Sequence, residues 1–105
     1  MNLTTFAVDC ESGDARYRVR FVTDKGEVQE FVVQLEFKVG TDWQPVVRYD
    51  TAHGFAHCDR YSPDGTVAPH QPLAAENYNQ ALTYAINDIR TNWKELTRPL
   101  REMNS

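Results

Sequence analysis

Apolar and polar residues alternate along most of the first sixty positions of the chain. Residues 16–23, 28–39, 43–50 and 55–61 each place an apolar side chain at every second position, which is the pattern of half-buried strands. Residues 3–9 show a weaker version of the same pattern. Short turn sequences that contain glycine separate the segments. The pattern predicts an antiparallel β-meander of four or five strands over residues 3–61.

The period of the hydrophobic pattern changes after Pro72. From Ala74 onward apolar residues recur at a spacing of three or four, which is typical of an amphipathic helix: Tyr78, Leu82, Ile86, Ile89, Trp93 and Leu96. We expect a helix within residues 74–103, with Pro99 ending or kinking it. Strands followed by a helix predict an α+β fold, formed by one domain over residues 1–105.

Strand registers follow from keeping all apolar positions on one face, because a slip of one residue would expose them to water. The first hairpin then pairs Val19 with Val33, and the second pairs Val33 with Tyr49. The third hairpin pairs Val47 with Cys58 and Tyr49 with Ala56. The apolar face of this sheet is expected to pack against the C-terminal helix.

The opposite face of the predicted sheet carries polar side chains in transverse rows. The central row is predicted to read Arg18, Gln34, Arg48, His57. Asp59 belongs to one neighbouring row, and Asp50 and Phe55 belong to the other. Cross-strand neighbours lie about 5–8 Å apart, so we expect Arg48, Asp50, His57 and Asp59 to converge.

Composition narrows the classes of function. The chain has 105 residues, of which 25% are charged, and a formal net charge of −4. This charge disfavours general coating of DNA, which needs clustered cations. Cys10 and Cys58 lie far apart in sequence, as expected of free thiols in a reducing compartment. The start of the chain has no basic and apolar leader pattern, and no apolar run is long enough for a membrane span. We therefore expect a cytoplasmic protein that does not contact a membrane.

Four interpretations compete for the segment around the two histidines. His53 and His57 have a spacing that binds zinc on a helix, but strand positions four apart lie ~13 Å apart. His57 could instead act as acid or base on a phosphodiester, oriented by Asp50, with Arg48 holding the phosphate. The same face could bind a protein or single-stranded RNA without catalysis. It could also be an ordinary solvated sheet face.

The candidate site residues follow from these interpretations. His57, Asp50 and Arg48 are predicted as a catalytic group for a metal-independent ribonuclease. The predicted binding residues are Arg18, Gln34, His53, Phe55, Asp59 and Tyr61. Neither a metal nor a cofactor is predicted. Whether the protein is an enzyme stays open at this point.

The segment from Arg48 to His57 resembles a group of small prokaryotic proteins, mostly of unknown function, with an RYD-x-x-HG-x-x-H signature. The residues that carry the resemblance are Arg48, Asp50, His53, Gly54 and His57, and the likeness extends from about Tyr17 to Trp93. More loosely, the chain is similar to the TumE-type family of toxin–antitoxin pairs, in which a YDN segment precedes a histidine cluster. Thr51 replaces the Asn of that pattern, and Cys58-Asp59 stands where further histidine is expected.

The resemblance implies a cytoplasmic accessory or toxin–antitoxin protein with a protein partner encoded nearby. The leading hypothesis is a protein that binds or cleaves RNA through the polar sheet face. The alternative is a non-catalytic module for protein–protein interaction or homodimer formation.

Overall fold

The computed structural model describes residues 1–103 and shows an antiparallel sheet with a single helix across one face. The strands are β1 (Asn2–Asp9), β2 (Ala15–Asp24), β3 (Glu27–Val39), β4 (Asp42–Asp50), β5 (His57–Arg60) and β6 (Gln71–Pro72). They follow one another in the sheet in chain order. The predicted α+β class and antiparallel meander are confirmed, and the sheet has six strands, because the short β6 pairs with β5.

Helix α1 spans Tyr78–Met103 and therefore begins four residues after the predicted start at Ala74. The Asn77 side chain accepts a hydrogen bond of 2.8 Å from the Gln80 amide, so Asn77 is the N-cap. The helix continues through Pro99. Its buried side chains face the sheet and pack mainly on β3: Ala81, Leu82, Ala85, Ile89, Thr97 and Leu100.

The registers of the first two hairpins are confirmed. Val19 pairs with Val33, and Val33 pairs with Tyr49. A bulge between Leu35 and Glu36 makes Glu36 the partner of Pro45, which has no amide proton to donate to the ladder.

The predicted register of the third hairpin is wrong by two residues. Tyr49 pairs with Cys58 and Asp50 pairs with His57. The loop is longer than expected because the Asp50 carboxylate accepts the Ala52 amide at 3.1 Å, which starts a turn before β5 begins. A shift of two residues leaves every side chain on its predicted face. It changes the neighbours, so that Arg48 lies beside Asp59 and Asp50 lies beside His57.

The core lies between the helix and the central strands and includes both cysteines as buried free thiols. Burial raises the pKa of the Cys10 thiol and of the Cys58 thiol. Tyr49 is 2% exposed and donates its hydroxyl proton to Asp88 of α1, which ties the helix to β4. Burial and then this hydrogen bond raise the pKa of Tyr49.

Candidate functional site

A groove crosses the polar face of the sheet from β1 to β4. The groove has a volume of about 560 Å³. Arg18, Gln34 and Arg48 form the predicted row across β2, β3 and β4, and Arg20 adds a third guanidinium to the lining. Thr5, Phe6, Ala7, Val19 and Val32 complete the lining, which contains no carboxylate among the residues that the structure describes.

Each arginine of the groove has an acidic neighbour outside the lining. Arg48 Nε lies 2.7 Å from Asp50 Oδ2, Arg20 lies 3.0 Å from Glu30, and Arg18 lies 3.8 Å from Glu36. The Arg18 side chain is 62% exposed. A guanidinium has five N–H donors, so one carboxylate leaves most of them available to a ligand.

Asp50 is the connection between this groove and the histidine segment. One carboxylate oxygen faces Arg48, and the other lies 2.7 Å from His57 Nε2 and accepts the Ala52 amide. The side chain of Asp50 is almost fully buried, and so is that of His57. The predicted convergence of Arg48, Asp50, His57 and Asp59 on one face is therefore observed, through the corrected register.

His57 does not reach the surface, since only 1% of the residue is exposed. Its Nδ1 lies 3.4 Å from Asp59 Oδ1. Although Asp50 and Asp59 lie this near, neither ring nitrogen has a hydrogen bond of good geometry within the described part of the chain. A buried ring does not contact a substrate directly, and the predicted acid or base role of His57 stays a prediction.

All three histidines of the chain meet at the β5 end of this face. One ligand nitrogen from each of His53, His57 and His70 lies within 4.8 Å of the other two. The ring centroids of His53 and His57 are 5.1 Å apart, and that of His70 is 4.7 Å from both. The expected separation of ~13 Å between His53 and His57 is wrong, because His53 lies in the turn before β5 and its ring folds back.

Asp59 lies two residues after His57 on β5 and contacts this cluster. Its Oδ1 contacts His70 Nδ1 and faces His57 Nδ1 as well. His70, which precedes β6, is the residue that the sequence reasoning missed. The only available signal was that all three histidines fall within residues 53–70.

Of the remaining predicted binding residues, Phe55 lies beside the histidines, Tyr61 follows β5 and Gln34 lies in the groove. Phe55 is 41% exposed, and its ring centroid is 5.4 Å from that of His57 and 6.4 Å from that of His53. Tyr61 is half-buried just after β5, where it bridges to Val67. Gln34 lies in the groove and donates to Glu36 at 2.6 Å. Their roles in binding stay predictions.

Comparison with known proteins identifies the family to which the chain belongs. A family model described as domain of unknown function DUF7718 matches residues 1–104. The chain belongs to this family. The predicted membership in a family of unknown function is thus confirmed, and DUF7718 itself carries no assigned activity. Neither a curated protein nor a solved structure matches the chain significantly.

Over residues 1–103 there is no helix with the length and apolar character that crossing a bilayer requires.

Proposed function

We propose that the chain binds single-stranded RNA in the groove on the polar face of its sheet. The supporting observation is the lining of that groove, in which Arg18, Arg20 and Arg48 present guanidinium groups with no carboxylate among the described lining residues. Guanidinium groups bind phosphate in bidentate geometry. The exposed ring of Phe55 offers a surface for base stacking beyond β4.

The burial of His57 favours binding over cleavage as the activity of this face. A general acid or base must lie within hydrogen-bond reach of the proton that it transfers, and His57 is covered. Arg18, by contrast, is the most exposed cation of the groove. Its guanidinium lies 3.8 Å from the Glu36 carboxylate. We therefore assign Arg18 the main role in phosphate binding.

The resemblance of the Arg48–His57 segment to prokaryotic proteins supports a wider context for this activity. We place the protein in the cytoplasm of a prokaryote, as a component of a toxin–antitoxin pair with a partner encoded nearby. If it is the toxin, its expression slows growth and Arg18→Gln relieves the effect. Unchanged growth on expression of the wild-type protein would contradict a toxin role.

The decisive experiment measures binding of a fluorescent single-stranded RNA by anisotropy at several salt concentrations. Three phosphate contacts predict a slope of log K against log salt of about −2, since each contributes about 0.7 for a single strand. Arg18→Gln should weaken binding and reduce the slope by about 0.7. Arg98→Gln is the matched control, because it removes the same charge from the helix, outside the groove.

Three outcomes would overturn the proposal of RNA binding. One is that the wild-type protein does not bind the RNA even at low salt. Another is that Arg18→Gln and Arg98→Gln bind equally well. A third is that duplex DNA binds as tightly as single-stranded RNA, which would indicate a general attraction between charges.

A second candidate function is homodimer formation through β1, and the exposure of this strand favours it. β1 pairs only with β2 among the described strands, and all of its residues except Val8 are exposed. An unpaired edge with exposed apolar residues such as Leu3 is a template for pairing with a second copy. Light scattering after size exclusion should then give a dimer that Leu3→Lys disrupts. A monomer at all concentrations would exclude this function.

A further inference from the structure

Three imidazole rings pack together at the β5 end of the polar face, with centroids 4.7–5.1 Å apart. His53 and His70 are exposed, whereas His57 is buried and both of its ring nitrogens lack an aligned hydrogen-bond partner among residues 1–103. A buried polar group without a partner costs free energy, so such groups in a folded protein call for a physical explanation. A bound ion would provide one.

We propose that His53, His57 and His70 bind a divalent transition-metal ion of the zinc type. Neutral imidazole is a preferred ligand of zinc, copper, nickel and iron, whereas magnesium and calcium select oxygen ligands. Three imidazole nitrogens plus an open fourth position are a known ligand set of zinc. The nitrogen-rich composition of the cluster therefore selects the class of ion.

The distances in the cluster are compatible with one tetrahedral ion. Zinc–nitrogen bonds of about 2.0–2.1 Å place the ligand nitrogens of a tetrahedron about 3.3 Å from one another. The three nitrogens here lie within 4.8 Å of one another. His53 and His70 supply the remaining movement through side-chain rotation, because both are exposed and lie outside the long strands.

The cluster also has the carboxylates that usually accompany histidine ligands of a metal. A histidine that binds a metal usually presents its other ring nitrogen to a carboxylate or carbonyl, which fixes the ring orientation. Asp50 lies at His57 Nε2, and Asp59 contacts His70 Nδ1. With Asp59 at Nδ1, Nε2 of His70 remains for the ion. Asp50 is itself held by Arg48, which positions this carboxylate beside His57 from β4.

The experiment uses the full chain without a histidine tag, after removal of bound metal with a chelator. Calorimetric titration with Zn²⁺ should show one site per chain, and Zn²⁺ should raise the melting temperature. Titration with Co²⁺ should give the strong visible absorption of a four-coordinate ion. Mg²⁺ should do neither.

Variants at the exposed ligands separate loss of the site from loss of the fold. His53→Ala and His70→Ala should each abolish the four-coordinate Co²⁺ spectrum while circular dichroism stays unchanged. Asp59→Asn should weaken zinc binding about 10–100-fold, as expected of a carboxylate that orients a ligand. Gln71→Ala is the matched control, since it is an exposed neighbour of His70 without a metal ligand.

Two results would overturn the inference of a metal site. It fails if wild-type protein binds Zn²⁺ no more tightly than the double variant His53→Ala/His70→Ala. It also fails if Co²⁺ stays six-coordinate. RNA binding does not enter these measurements, so the metal site and the RNA-binding groove stand or fall separately.

Discussion

The hydroxyl group of Tyr49 connects β4 to the helix. It donates to Asp88, and the ring is 2% exposed. Tyr49→Phe removes one hydrogen bond to a charged acceptor and retains the packing of the ring. Such bonds contribute about 1.5–3 kcal/mol. Asn92 also donates to Asp88 at 2.8 Å, so the carboxylate keeps a partner and the lower value applies.

The assay is urea unfolding and thermal melting of Tyr49→Phe beside Tyr84→Phe. A loss of about 1.5 kcal/mol lowers the melting temperature of a domain of this size by about 6–12 °C. Tyr84→Phe is the control because Tyr84 packs against Tyr49 with ring centroids 6.1 Å apart but is 55% exposed. Its cost should stay below about 0.5 kcal/mol.

The pH dependence of stability tests the burial of the same hydroxyl group together with its hydrogen bond. The pKa of Tyr49 is raised in the folded protein, so above pH ~10 the unfolded chain loses this proton while the folded chain keeps it. Tyr49 should therefore destabilise the protein increasingly above pH ~10, by up to about 1.4 kcal/mol per pH unit, relative to Tyr49→Phe. The reasoning is refuted if Tyr49→Phe and Tyr84→Phe lose the same free energy of unfolding at neutral pH and if the stability of both falls in parallel at alkaline pH.

Three further predictions concern buried or constrained positions. Cys10 and Cys58 should react with a thiol reagent at pH 8 only after denaturation, because burial covers them and raises the pKa of each thiol; fast labelling of the native protein would contradict this. Ile89→Ala should lower the free energy of unfolding in urea by about 2–5 kcal/mol, since Ile89 is fully buried on the side of the helix that faces the sheet. A loss under 1 kcal/mol would indicate a poorly packed helix. Gly54→Ala should cost about 1–2 kcal/mol, because Gly54 has φ +83°; a neutral effect on melting would show that the turn adopts another conformation.

The first two hairpins could be predicted because burial fixes their registers. Phe31, Val33 and Leu35 are essentially inaccessible, so any slip by one residue would move them into water. The bulge at Glu36 could not be predicted in this way, because the alternation of apolar residues does not report an extra residue in one strand. The helix begins later than the sequence predicts because Asn77 caps it, and hydrophobic periodicity does not report caps.

The third register shows the limit of the same argument. A shift of two residues keeps Cys58 on the apolar face, so hydrophobic burial does not distinguish the two registers. The deciding interaction is local and polar, since the Asp50 carboxylate accepts the Ala52 amide and lengthens the loop. His70 was missed for a related reason. It is the last residue of the ten-residue connection between β5 and β6, which has no periodicity, and only the pairing of β6 with β5 returns it to His57.

The corrected register changes the chemistry that this face supports. With Arg48 beside His57, the two side chains would form a site that a phosphodiester could contact from both sides. With Asp50 in that position, the carboxylate separates the guanidinium from the imidazole and contacts both, at 2.7 Å each. Arg48 then points its charge toward the groove, and His57 is left for the histidine cluster. One buried carboxylate thus lies between the proposed RNA-binding groove and the proposed metal site, which is why a shift of only two residues matters for both proposals.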